Sequence, residues 1–215
     1  MKLVNPVKGA RLLFYPYGNI TQIFGANPGF YLLVTKRPGH AGLDIAKPKG
    51  TPILATQGQV AKTGQSRLGG KYVRILTPAI DGTFYELYFG HLDTISVKKG
   101  QQVVNEQQIG TMGNTGLVSS WTDAKTVYWG DAPGNYGVHL HFGVKECSVE
   151  PTDKYLWRLG KKVYIVNYDN KFIGYISPMR FLNIPKDLKR KVQTIAGLIA
   201  ALKQKIEEFL KGKGR

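Results

Sequence analysis

Val138-His139-Leu140-His141-Phe142-Gly143-Val144 alternates apolar and polar side chains, with aliphatic and aromatic residues at every second position. That period of two marks a half-buried β-strand. Both imidazoles then share one face, about 6–7 Å apart along the strand, while Leu140, Phe142 and Val144 point to the other face and into a core. Such a pair can bind a metal ion through one ring and move protons with the other; two partly exposed histidines on a polar sheet face is the competing reading.

Outward from this segment, residues 71–76 and 83–89 are equally rich in β-branched and aromatic side chains, a strand composition. Residues 163–168 and 171–176 flank Asp169-Asn170, a two-residue turn that suits a hairpin. Helical periodicity is hard to find before Pro178. The 26 glycines in 215 residues are about 12% of the chain against a usual ~7%, which favours many tight turns. The expectation is a mainly β fold built on an antiparallel sheet.

After Asn183 the pattern changes. Leu188, Val192, Ile195, Ile199, Leu202, Ile206 and Phe209 are spaced alternately by four and three, a heptad seam. Pro185 suits the first turn of a helix and Gly212 the position just past its end. The spacing predicts a C-terminal amphipathic α-helix in a segment, 184–215, that follows a domain spanning 1–183. Nine basic and three acidic residues give this tail a surplus of six positive charges. It could lie on an anionic membrane surface, dock on an acidic partner, or cover its own domain.

Lys and Arg number 30 and Asp and Glu 14, a formal net charge of +16. The 42% apolar content excludes a disordered chain. A single cysteine, Cys147, excludes an internal disulfide framework and a Cys-rich metal site, and its surroundings read as a buried thiol. The charge suits nucleic acid, anionic lipid or acidic wall polymers. With neither Cys/His finger spacing nor an aromatic RNA-binding signature, no nucleic-acid partner is expected. The first 17 residues carry Lys2, Lys8 and Arg11 without the apolar run of a secretory signal peptide, and no stretch reaches the ~18–20 apolar residues of a membrane span.

Four histidines are present: His40, His91, His139 and His141. In Gly39-His40-Ala41-Gly42-Leu43-Asp44, an extended chain would separate His40 from Asp44 by ~13 Å, too far to share an ion with ~2 Å bonds. Gly39 and Gly42 let the chain bend and bring both to one point; a turn histidine beside a capping aspartate is the alternative. His40, Asp44 and one of His139 or His141 supply three protein ligands and leave a fourth position for water, as in a catalytic zinc site. The remaining imidazole of the pair and His91 could handle protons and steady an oxyanion.

In order along the chain, His40-x-x-x-Asp44, Gly90-His91-Leu92 and His139-Leu140-His141 resemble the lysostaphin and LytM family of zinc endopeptidases. Lys47-Pro48-Lys49-Gly50-Thr51-Pro52-Ile53, Val97-Lys98-Lys99-Gly100-Gln101 and Ile109-Gly110-Thr111-Met112-Gly113-Asn114-Thr115-Gly116 match as well. The resemblance covers roughly residues 19–144, and Ser177-Pro178-Met179-Arg180-Phe181-Leu182 looks like the family's closing segment. It implies an antiparallel β-sheet groove, cleavage of peptide cross-links in bacterial peptidoglycan, and one Zn2+ per chain held by His40, Asp44 and His141, with His91 and His139 as the catalytic pair. Some members have lost these residues and act only as regulators; all five positions are filled here. A wall enzyme without a signal peptide looks like a phage lysin or virion-associated enzyme, with anionic wall or outer-layer polymers as further partners. A non-catalytic wall-binding or phage tail protein retaining the fold is the alternative. Two departures from the family pattern, insertions at about 117–138 and 145–175, fall on the groove walls. The first carries Trp121, Tyr128, Trp129 and Tyr136, which would either contact substrate or hold the loop together.

Overall fold

Leu140–Ser148 is a strand at the centre of a large antiparallel sheet. Its Leu140, Phe142 and Val144 are buried to 1% exposure or less, and the Phe142 ring meets its register partner Phe89 at 5.2 Å between centroids. The alternation therefore works as expected: one face enters the core, at about 1.5–3 kcal/mol per fully buried large side chain, and the other is left for polar groups.

The computed structural model describes residues 2–78, 84–119, 127–129, 132–148, 155–158, 161–165, 168 and 170–184. The chain divides into two compact units, Met1–Asn183 and Ile184–Arg215. The expected C-terminal helix, with Leu188, Val192, Ile195, Ile199, Leu202, Ile206 and Phe209, lies outside the described residues, as do Trp121 and Asp169.

In the first unit the strands are β1 Ile20–Gln22, β2 Leu43–Ile45, β3 Pro52–Leu54, β4 Gly58–Ser66, β5 Gly70–Pro78, β6 Phe84–Ile95, β7 Gln102–Val103, β8 Gln108–Met112, β9 Leu117–Ser119, β10 Val127–Trp129, β11 Leu140–Ser148, β12 Tyr155–Arg158, β13 Lys161–Ile165 and β14 Tyr175–Ile176. One helix, α1 (Pro28–Thr35), and a 3-10 turn at Pro178–Arg180 complete the described elements. The sheet runs β1-β2-β11-β6-β5-β4-β7, with β8 linking β6 to β3 and with β13 and β14 both pairing β11. Among the described residues every strand-to-strand pairing is antiparallel, and β9 and β10 form a separate two-stranded ribbon. The core side chains Leu43, Ile75, Leu87, Phe89, Leu92 and Leu140 lie at 0–1% exposure beneath the β2-β11-β6-β5 centre.

β6 is long because it changes partners. It pairs β11 and β5 up to Gly90 and Leu92, then shifts register between Leu92 and Thr94 to pair β8. His91 sits at that bend with φ 60, a left-handed backbone that is costly for a residue with a Cβ. Its N–H donates to Gly69 O at 2.7 Å, which helps to hold it there.

Two local expectations are corrected. The segments either side of Asp169-Asn170 do not pair as a hairpin: β13 pairs β12 and β11, and β14 pairs β11. The Asn170 carboxamide oxygen instead accepts the N–H groups of Phe172 and Gly174 at 2.9 and 3.0 Å, and Lys171 and Ile173 take φ of 63 and 57. That curled backbone cannot run as a strand until Tyr175. The second correction is α1, unexpected before Pro178; it buries no residue, and Leu32 and Leu33 are 58% and 78% exposed. It therefore has no apolar stripe for periodicity to reveal.

Candidate metal centre

The sheet register aligns the polar face of β11 with its neighbours. His141 pairs with Asp44 on β2 and with Gly90 on β6, one residue before His91, and side chains directly opposite on paired strands lie about 4.5–5.5 Å apart at Cβ. His40 precedes β2, where its N–H donates to Ala26 O at 2.9 Å and its carbonyl accepts from Gly25 N at 2.8 Å. This loop pairing turns the His40 ring back over Asp44, so the two meet at 3.0 Å in place of the ~13 Å of an extended segment.

The two flanking glycines matter for close approach more than for bending. A Cβ on Gly42 would stand 2.6 Å from Phe142 O and 2.8 Å from His141 Cε1. Neither the strand carbonyl nor the ligating ring can yield cheaply, and overpacking of this kind costs about 1–3 kcal/mol. Gly42→Ala is therefore expected to displace His141 and weaken metal retention; metal content after dialysis against a mild chelator checks this, and unchanged retention would mean the ring does not depend on that contact.

Three ligand atoms form a nearly equilateral triangle: His40 Nε2 to His141 Nδ1 is 2.8 Å, His40 Nε2 to Asp44 Oδ1 3.0 Å, and His141 Nδ1 to Asp44 Oδ1 3.1 Å. His40 Nδ1 donates to Ile23 O at 3.1 Å, which leaves Nε2 as the ring atom facing the carboxylate. Nitrogen and oxygen atoms converging at this distance need a proton or a metal cation among them. The edges are close to the ~3.3 Å expected between tetrahedral ligands with zinc bonds of ~2.0–2.1 Å. The donor set and its geometry thus fit a zinc-sized ion.

Protonation states agree with that fit. Burial works to raise the Asp44 carboxyl, but His40 and His139 nearby and the hydrogen bonds from His141 and His40 outweigh it and hold it well below the usual carboxylate range. Burial pushes His141 down, against the hydrogen bond it donates to Asp44. Metal ligands must be an ionised carboxylate and neutral imidazoles, the directions in which Asp44 and His141 are pushed.

His91 and His139 stand beside the triangle. Their rings are 4.6 Å apart, and His91 is 6.0 Å from His141. His139 Nδ1 donates to Gly137 O at 2.7 Å, leaving Nε2 3.7 Å from Asp44 Oδ2. His91 Nδ1 donates to Thr115 O at 2.7 Å. Each ring is thereby fixed in one tautomer with Nε2 free. Burial, then His139 and His141, push His91 well below the ordinary imidazole range.

All five sequence-selected residues thus converge. Of the insertion aromatics, Tyr128 and Tyr136 pack edge to face at 4.8 Å. Among the described residues this loop lines the groove with Leu117, Val118, Ser119, Asn135, Gly137 and Val138, and the contact between the two tyrosines is one that holds the loop together. Trp129 is described only as the end of β10. Residues the sequence reading treated merely as matches prove to be supports: Thr115 fixes His91, and Asn114 Nδ2 donates to the carbonyls of Ala132, Gly134 and Tyr136 at 3.0–3.2 Å. Their position inside the Gly113–Gly116 turn, between two histidine motifs, was the available signal. Tyr31 of α1 was also missed; its ring lies 5.3 Å from His40 and its hydroxyl meets Gln22 Oε1 at 3.0 Å. Cys147 is fully buried, and burial pushes its thiol up to about 12, as an inert core thiol requires. His91, His139 and His141 open onto a groove of about 810 Å³ that Tyr31, Tyr88 and Leu117 also line.

The description of peptidase family M23 matches residues 38–154 of the chain. Residues of the chain are 43% identical over 88 positions to the peptidoglycan DD-endopeptidase ShyA of Vibrio cholerae, covering 40% of this chain and 20% of that protein. They are 35% identical over 104 positions to the murein hydrolase activator NlpD of Escherichia coli, covering 48% and 24%. The chain thus spans about a fifth to a quarter of the length of these curated relatives. The solved structure of LytU aligns with 64% of this chain and 81% of its own, at 31% identity and a TM-score of 0.43.

Proposed function

Since this chain belongs to peptidase family M23, we propose that it is a zinc-dependent endopeptidase of bacterial peptidoglycan, hydrolysing cross-link or stem-peptide bonds. The observation that supports this best is the triangle of His40 Nε2, Asp44 Oδ1 and His141 Nδ1 with His91 and His139 alongside. One zinc ion per chain, held by His40, Asp44 and His141, would supply a Lewis acid and lower the pKa of water towards ~7. His139 Nε2 accepts the proton of the attacking water and returns it to the departing amine, so the peptide bond is broken with no net proton gained by the enzyme. The Asp44 carboxylate at 3.7 Å stabilises the imidazolium in between. His91, kept neutral by burial and its histidine neighbours, is a second acceptor within reach of the same proton. The surplus of 16 positive charges suits retention on an acidic wall polymer.

Dye release from labelled peptidoglycan tests the reading. Release should stop with chelator and return with added zinc, and mass spectrometry of the released fragments should identify the bond. The name of the activator relative favours a second reading, a non-catalytic wall protein. Zinc-loaded, folded protein that releases no dye would select it.

A further inference from the structure

From the ligand His141, the groove wall runs to Tyr88, whose ring centroid lies 5.9 Å away. Beyond it the guanidinium carbon of Arg74 lies 5.4 Å from the Tyr88 centroid and 5.4 Å from that of Tyr72. Tyr72, Tyr88 and Tyr175 pack together with Ala41 in one buried cluster. The Tyr175 ring carries two more cations, with Arg37 Cζ at 5.4 Å and Lys145 Nζ at 4.3 Å from its centroid. Arg37, Arg74, Tyr88 and Tyr175 line the same groove as His91, His139 and His141.

Three cations therefore gather around a tyrosine floor. Glu86, fully buried, offsets one of them: its Oε1 is 3.5 Å from Arg74 Nη1, and it pairs across the strands with Lys145. The field there remains positive. Burial, with Arg74 and Arg37 adding to it, pushes the Lys145 ammonium down to about 7. The Nε atoms of Arg37 and Arg74 are both buried without a hydrogen-bond partner, a costly condition for a charged donor. Both side chains line the groove, and the terminal Nη groups of a guanidinium match a carboxylate in bidentate fashion.

We infer that this end of the groove is a carboxylate subsite, in which Arg37 and Arg74 bind a free carboxylate of the substrate peptide two or three residues from the scissile bond. The short steps from His141 through Tyr88 to Arg74 suit that interval, because an extended peptide advances about 3.4 Å per residue. The peptidoglycan reading above supplies the identity of the peptide; the arginines alone supply the charge selection. A peptide with a free carboxylate at that interval fits the subsite, and an uncharged one does not. Lys145, over the same Tyr175 ring as Arg37, adds to the local potential without being required as a direct contact.

The test uses the full-length, zinc-loaded chain and a fluorescent D-alanyl-diaminopimelate cross-link peptide with its carboxylates free or converted to primary amides. Affinity is read by anisotropy and cleavage by chromatography. The free form should bind about tenfold or more tightly than the amide, the scale of a hydrogen bond to a charged group. Arg37→Gln and Arg74→Lys should each bring that ratio to within about threefold, with zinc content unchanged. Arg74→Lys keeps a cation beside Glu86, so the buried carboxylate is not abandoned. Equal or undetectable affinity for the two peptides overturns the subsite, whether or not either is cut. A preference that survives both substitutions overturns the assignment to these arginines. A tenfold preference without cleavage of either peptide supports the subsite and counts against the peptidase reading instead.

Discussion

His141→Ala is expected to lose its zinc and its turnover together. His141 Nδ1 completes a triangle with edges of 2.8, 3.0 and 3.1 Å, and its removal leaves one imidazole and one carboxylate. Two ligands cannot hold the ion against exchange: loss of a mere outer-shell partner already costs ~10–100-fold in metal affinity, and a direct ligand should cost more. Metal analysis should find well under one zinc per chain after dialysis, and dye release from peptidoglycan should fall to background. The sheet should survive, since His141 projects from the polar face while Leu140 and Phe142 keep the core side of β11 filled. Full occupancy and an undiminished rate in this variant would show that His141 is not a ligand.

His139→Ala should separate the two properties. Its Nε2 lies 3.7 Å from Asp44 Oδ2, outside the group formed by His40, Asp44 and His141. Zinc should therefore stay while turnover falls by about 10²–10⁴, the usual loss when a positioned acid–base group is deleted, or roughly 3–5 kcal/mol on the barrier. Metal content and kcat measured on the same preparation check both halves. Loss of zinc alongside activity would make His139 a ligand, and a rate within tenfold of the parent would assign the proton transfer to His91.

Legibility of the fold followed how local each signal was. The alternation in residues 138–144 marked a strand with one buried face, because side-chain direction along a strand follows from covalent geometry. The helix Pro28–Thr35 could not be read that way, since its apolar residues Leu32 and Leu33 face outward. The supposed hairpin around Asn170 failed for a related reason. A short turn signal was outweighed by pairing of both flanking strands with β11, a partner from elsewhere in the chain.

For the site, residue chemistry and order by themselves singled out His40, Asp44, His91, His139 and His141 as a candidate metal-binding and acid–base set. Only the tertiary structure decided which nitrogens meet. His141 contacts His40 and Asp44 across 101 and 97 positions of sequence, through the register of β2 on β11. The free Nε2 of His91 and His139 depends on carbonyls of Thr115 and Gly137 brought alongside. The same is true of Arg37 and Arg74, which nothing in the local pattern distinguished from the other basic residues. Periodicity and composition are written residue by residue, but a site is a convergence of distant side chains, and long-range strand pairing sets the distances and tautomers on which its chemistry depends.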